Sequence, residues 1–362
     1  MSTDLSGTEG VVYPWSDYPA PGVAQEVADG IYWISTPVPF AGLRQVNLWL
    51  LRDGDGFTQI DCGYSWTQTR DMLETIWGST LLGGRPVSRL IVTHYHPDHI
   101  GNCAWISQRW GDLLPHMSLA EWFAANLAVD DEYSDNLHQR AIWHRKHGLD
   151  EARQELFTKE VIVYSEGVQL PLAFKRLRED EYVKIGNDRW RVITGEGHSP
   201  EHVSLYCAER KILIAGDQIL PQITTNVSTW PKEPEANTLE AFLDTCAKFL
   251  RVLDPDTLVL PSHRKPFLNV QFRLRELARH HAARLNRLLD GMGEEAAAGE
   301  LLDVLFGSKL DGHQVGFAMG EAIAHLNHLV RLGRLERIIL PDGRWRYRKT
   351  AVGNQPVAPH FT

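Results

Sequence analysis

The apolar run Leu90-Ile91-Val92 passes directly into Thr93-His94-Tyr95-His96-Pro97-Asp98-His99, which sets three histidines and a carboxylate within six residues. The aliphatic, β-branched run reads as a buried strand, and Pro97 with Gly101 places the histidines on the turn that leaves it. Imidazole nitrogens and a carboxylate oxygen suit zinc or another borderline divalent metal. A lone histidine is ordinarily a surface or core residue, whereas this cluster in this context is a metal cage. Its spacing cannot aim all four side chains at one tetrahedral ion, so two neighbouring ions are expected.

Other strand ends carry matching residues. Ile31–Ser35 and 46–51 read as strands, Asp53-Gly54-Asp55-Gly56 as a turn, and 57–61 as the returning strand, which ends at Asp61. Trp190–Thr194 runs into His198, the segment 211–215 into Gly216-Asp217, and 257–260 into Pro261-Ser262-His263. Three strands after the motif thus each end in one potential ligand. A helix over 65–77 alternates with the strands, the order of an α/β fold.

The motif resembles the His-x-His-x-Asp-His signature of the metallo-β-lactamase-fold superfamily, and the resemblance spans about 28–268. It implies an αββα sandwich in which His94, His96 and His198 hold one metal and Asp98, His99 and His263 a second, bridged by Asp217. It also implies that Asp61 supports the site from behind the ligands, although by residue type alone it could simply cap a turn. His202 reads as a supporting or structural residue. Glu201 and Ser262 stand where many relatives have glycine, which bears on loop shape and substrate fit rather than on metal binding.

Two divalent ions bridging one water lower its pKa to about 7, which supplies hydroxide as a nucleophile at neutral pH. Asp98 would orient that nucleophile and relay its proton. The reading is therefore a dinuclear hydrolase, with two zinc ions per chain and iron or manganese as other divalent choices. A carboxylate at 217 departs from the antibiotic-degrading branch and His96 from the di-iron branch. The ligand set resembles that of glyoxalase II, lactonases and acyl-thioester hydrolases. It implies cleavage of a carbonyl ester bond in a small acyl substrate, an acyl thioester first and a lactone second. A mono-iron persulfide dioxygenase and a nuclease or nucleic-acid-binding protein are the alternatives. Thr225 and Asn226, on the loop after Asp217, are candidate substrate contacts.

Around this core, 1–27 reads as an extended lead-in, 28–268 as the catalytic domain with a helical insertion over about 104–180, 269–350 as a small winged-helix-like α+β domain, and 351–362 as a disordered tail. His116, His138, His144 and His147 in the insertion read as solvated, with a wall of the substrate pocket as the alternative. The basic helix from Asn269 carries Arg273, Arg275, Arg279, Arg284 and Arg287. The helix over 320–332 leaves mainly His325, His328 and Arg331 outside its apolar stripe, which favours packing or a homodimer over nucleic acid. A net charge of −9 gives no general reason to bind nucleic acid or an anionic membrane. The N-terminus does not read as a signal peptide, no stretch approaches a membrane span, and the four scattered cysteines suit a reducing cytoplasm.

Overall fold

Alternation along the first strands sets the layering. Ile31, Trp33, Trp49 and Leu51 face one way and Tyr32, Ile34, Leu48 and Leu50 the other, and all are buried. A strand buried on both faces needs covering on both faces. The computed structural model describes residues 10–40, 42–130, 136–160, 163–307 and 309–361. In it β1 (Gln25–Ala28), β2 (Ile31–Phe40), β3 (Leu43–Asp53), β4 (Gly56–Ile60), β5 (Val87–Ile91), β6 (His116–Met117) and β7 (Lys175–Arg176) form one sheet in chain order. A second sheet, ordered β12-β11-β10-β9-β8, contains β8 (Tyr182–Ile185), β9 (Asp188–Gly195), β10 (His202–Cys207), β11 (Ile212–Gly216) and β12 (Leu258–Pro261).

The two sheets pack face to face over Trp33, Trp49, Ile60 and Ile91 from the first and Trp190, Val192, Leu205 and Ile214 from the second. Helices Thr67–Trp77 and Cys103–Arg109 cover the outer face of the first sheet, and Thr238–Val252 and Val270–Gly291 that of the second. Because β4 and β5 run parallel, as do β11 and β12, four carboxyl ends meet at one edge of the sandwich. Cross-sheet bonds tie that edge together: the Val203 N–H donates to the Thr93 carbonyl at 2.8 Å and the Asn47 N–H to that of Ser262 at 2.7 Å.

The C-terminal helices join the second sheet's outer core, and β13 (Glu295–Ala296), β14 (Leu335–Ile339) and β15 (Trp345–Lys349) form a three-stranded sheet ordered β13-β15-β14. The last long helix, Gly312–Arg331, starts well before the expected 320. Asp311 and Gln314 cap it reciprocally, and Gly312, Gly316 and Gly320 mask its helical pattern because they sit where it presses on neighbours.

Several solvated positions are in fact interior. His144 and His147 are buried against Phe157, Trp143 and Trp345, because the insertion packs on the C-terminal sheet rather than into solvent. His325 and His328 are buried as well: the helix carrying them is covered on both sides, by Val270–Gly291 and by the loop before Asn237. The tail is ordered through residue 361; Val357 exchanges two hydrogen bonds with Asn286, at 2.7 and 2.9 Å, and Phe361 packs on the core. His138 lies on the exposed side of its helix. Residues 1–9 of the expected lead-in lie outside the described residues, and Val12 bridges Leu268.

Candidate metal centre

Asp61 follows β4 in the left-handed region, with φ of 62°, a conformation that aspartate tolerates better than most residues. The turn brings its carboxylate beneath the motif. There it accepts from the Thr93 N–H at 2.7 Å, the Thr93 hydroxyl at 2.9 Å and His99 Nδ1 at 2.8 Å. A carboxylate only accepts, so His99 must protonate Nδ1 and present Nε2 to the cavity. The same logic fixes three more rings. His198 Nδ1 donates to the Asn226 carbonyl at 2.8 Å and His263 Nδ1 to that of Gln45 at 2.9 Å. The Thr93 hydroxyl gives its proton to Asp61, so it accepts from His94 Nδ1 at 3.0 Å.

The inward nitrogens crowd together. His94 Nε2 is 3.0 Å from His96 Nδ1 and 3.2 Å from His198 Nε2. Opposite them, Asp98 Oδ2 is 3.3 Å from His263 Nε2 and 3.7 Å from His99 Nε2. Asp217 Oδ2 touches both sets, at 3.6 Å from His198, 3.7 Å from His99 and 3.4 Å from His263. The trio His94, His96 and His198, the trio Asp98, His99 and His263, and a third grouping of His94, His99 and Asp217 each gather within 4.8 Å.

Burial pushes the imidazoles of His94, His96 and His198 down, that of His96 to about 3, and their like neighbours add to it. On the other side burial would do the same to His99 and His263, but the carboxylates of Asp98 and Asp217 outweigh it and hold His263 up at about 10. Those histidines in turn draw Asp98 down to about 2 and Asp217 well below the usual carboxylate range, against burial.

His99 Nε2, His263 Nε2 and Asp217 Oδ1 are fully enclosed and have no hydrogen-bond partner among the described residues. Unpaired buried polar atoms are costly, so three within one cluster of side chains point to a common partner. Inward lone pairs and carboxylate oxygens are the donor set of a divalent cation site, and the residues present fit one.

Comparison with known proteins agrees. Residues 41–263 match the Metallo-beta-lactamase superfamily and 285–350 the Metallo-beta-lactamase-like C-terminal domain. The chain belongs to the metallo-beta-lactamase superfamily. It is 40% identical to a beta-lactamase domain protein from Burkholderia ambifaria, with a TM-score of 0.86 over 94% of this chain and 98% of that one. A metallo-beta-lactamase family protein from Thermus thermophilus is 26% identical, with a TM-score of 0.76 over 90% and 100%. The probable metallo-hydrolase YqjP of Bacillus subtilis is 23% identical over 82% of this chain and 91% of that one. A hydroxyacylglutathione hydrolase from Rhodopseudomonas palustris is 26% identical over 45% of this chain and 57% of that enzyme. The chain is accordingly a metallo-hydrolase of this superfamily.

Within the superfamily fold, the remaining candidates sort by what they touch. His202 Nε2 accepts the Asp217 N–H at 3.1 Å from behind the ligand cluster. Thr225 is buried and donates its hydroxyl to the Asp217 carbonyl at 2.6 Å. Asn226 serves the site through its backbone carbonyl, on His198. All four cysteines are free and buried. No helix among the described residues is long and apolar enough to cross a membrane.

One residue escaped sequence reasoning. Glu121, in the helix Leu119–Val129, is completely buried and accepts from the Tyr95 N–H at 2.9 Å, the Ser199 hydroxyl at 2.6 Å and the Glu201 N–H at 2.8 Å. It clamps the loop of His94 and His96 to the loop of His198. Burial pushes its carboxyl up to about 7 while those three donors pull it down. Its only sequence signal was a carboxylate flanked by apolar Leu119, Ala120, Trp122 and Phe123.

Proposed function

We propose that this chain is a dinuclear metal-dependent hydrolase of a carbonyl ester bond, and of an acyl thioester in particular. The observation that carries the reading is Asp217, whose Oδ2 lies within 3.7 Å of histidines from both trios while its Oδ1 has no partner among the described residues. His94, His96 and His198 would hold one ion, Asp98, His99 and His263 the other, and Asp217 both; zinc suits this donor set, with iron or manganese as alternatives. Bound there, the ions supply a Lewis acid for the scissile carbonyl and lower the pKa of water to about 7.

The chain's own residues do the rest. Asp61, His202 and the carbonyls of Asn226 and Gln45 fix the orientation of the donors. Asp98 Oδ2, 3.3 Å from His263 Nε2, lies where it could orient water and relay its proton to the leaving group. A thiol, with a pKa near 8.5, leaves without a strong acid. The distant hydroxyacylglutathione hydrolase relative points the same way.

A lactone is the second substrate class that this site supports. We place the catalytic unit at 28–268 and a packing module, winged-helix-like in its order of helices and hairpin, at 269–350; the family matches fall inside these bounds. A nuclease reading loses part of its basic face: Arg273 is buried and donates to the carbonyls of Leu220 and Ile223, and Arg284 is half-buried beside Glu321, while Arg279 and Arg287 stay exposed.

Elemental analysis together with thiol release from short, medium and long acyl thioesters tests the reading. Two metals per chain, metal-dependent release, and loss of both in a folded Asp217→Ala variant are expected. A full metal complement in that variant removes the bridging role, and one iron per chain moves the reading to the persulfide dioxygenase.

A further inference from the structure

A cleft of about 610 Å³ opens beside His263, lined by Tyr18, residues 42–45, His263 and Arg264. The Gln45 carbonyl that orients His263 belongs to this wall, so the cleft and the candidate metal centre share a side chain and its support. Two of the lining residues are arginines, and no acid is among the described residues that line the cleft. Arg44 is exposed near the start of β3, and among the described residues neither it nor Arg264 pairs with a carboxylate.

Arg264 is held unusually. Its φ is 70°, a conformation that costs a side chain other than glycine strain and that persists only where the surroundings impose it. They do: the Asn47 side-chain amide donates to the carbonyls of both Pro261 and Arg264, at 2.9 and 2.6 Å. The guanidinium Nε of Arg264 is buried and unpartnered among the described residues. Lys265 next to it, by contrast, donates to the Ser16 carbonyl at 3.0 Å. A positive cleft on a chain of net charge −9 concentrates anions at one place.

Building on the thioesterase reading above, we infer that the thiol half of the substrate carries an anion, a carboxylate or a phosphate, which Arg44 and Arg264 bind in this cleft while the scissile carbonyl reaches His263. The planar guanidinium fork matches either anion in bidentate fashion.

The test uses thioethers that cannot be hydrolysed, built on 3-mercaptopropionate, 2-mercaptoethyl phosphate and neutral 3-mercaptopropanol, titrated calorimetrically into the zinc-loaded protein at low salt. At least one charged thioether is expected to bind about tenfold more tightly than the neutral one, and the stronger of the two identifies the anion. The preference should vanish in Arg44→Ala/Arg264→Gln and reverse in Arg44→Glu, an exposed substitution that spares the strained position. Equal binding of charged and neutral thioethers by the native chain, or a preference that survives both variants, overturns the inference. Because the readout is binding, absence of thiol release from the matching thioesters would sink the thioesterase reading while the cleft is judged on its own.

Discussion

Glu121 shows what one buried carboxylate can hold. Its two oxygens take three donors from two loops, and each loop carries histidines of the centre. In Glu121→Gln the amide oxygen can retain Ser199 and Glu201, but the NH2 group then faces the Tyr95 N–H. That leaves a buried donor unpaired, at a cost of about 1–3 kcal/mol. A lowered Tm and weaker metal retention against a chelator are expected, with Glu121→Ala worse than Gln. Unchanged metal retention in both variants would show that the clamp does not act on the ligands. The same accounting explains Asp61, where loss of the carboxylate would leave the Thr93 N–H and His99 Nδ1 without acceptors.

Among the elements, the helix Gly312–Arg331 matters most for the site although it carries none of its ligands. At Gly316 it lies against Phe157 and Arg140, and at Gly320 against Ser228, whose loop supplies the Asn226 carbonyl to His198. The Thr229 N–H donates to the Gly320 carbonyl at 3.0 Å, so backbone meets backbone there. A Cβ on Gly320 would sit 2.7 Å from the Ser228 side chain. Alanine gains about 1 kcal/mol of helix propensity over glycine, whereas overpacking costs about 1–3 kcal/mol. Net destabilisation and reduced turnover are expected for Gly320→Ala in thermal melts and thioester assays. A more stable, fully active variant would mean that the helix does not brace the loop. Aromatic contacts extend the same seam, with His313 stacked on Phe40 at 4.8 Å and Phe317 edge-on to Trp230.

For the molecule as a whole, the centre is a concentrated cost that a cation relieves. Asp98 and Asp217 are anionic and buried, and without metal the protons on His99 and His263 must balance them. Metal that binds only the folded state stabilises it by about 4 kcal/mol at a thousandfold excess over Kd. Chelation should therefore lower the Tm by several degrees, and zinc should restore it. A melting curve indifferent to zinc would argue that these side chains do not form a metal site.

The sequence by itself determined the sandwich core and the candidate ligand types. Alternation in the early strands dictates two-sided burial, and His94 to His99, His198, Asp217 and His263 each follow an apolar strand, so their chemistry and local setting are encoded within a few neighbouring residues. Tertiary structure alone decided what surrounds them. Glu121 became a clamp because an insertion helix folds against two distant loops, His144 and His147 became interior because the insertion packs on the C-terminal sheet, and His325 and His328 because their helix is covered by Val270–Gly291 and by the loop before Asn237. Thr225 came to hold the Asp217 carbonyl, and Arg44 met Arg264 across 220 positions of the chain to line one cleft. Periodicity and turn chemistry act over a handful of residues, whereas burial and hydrogen-bond partners depend on which distant surfaces meet.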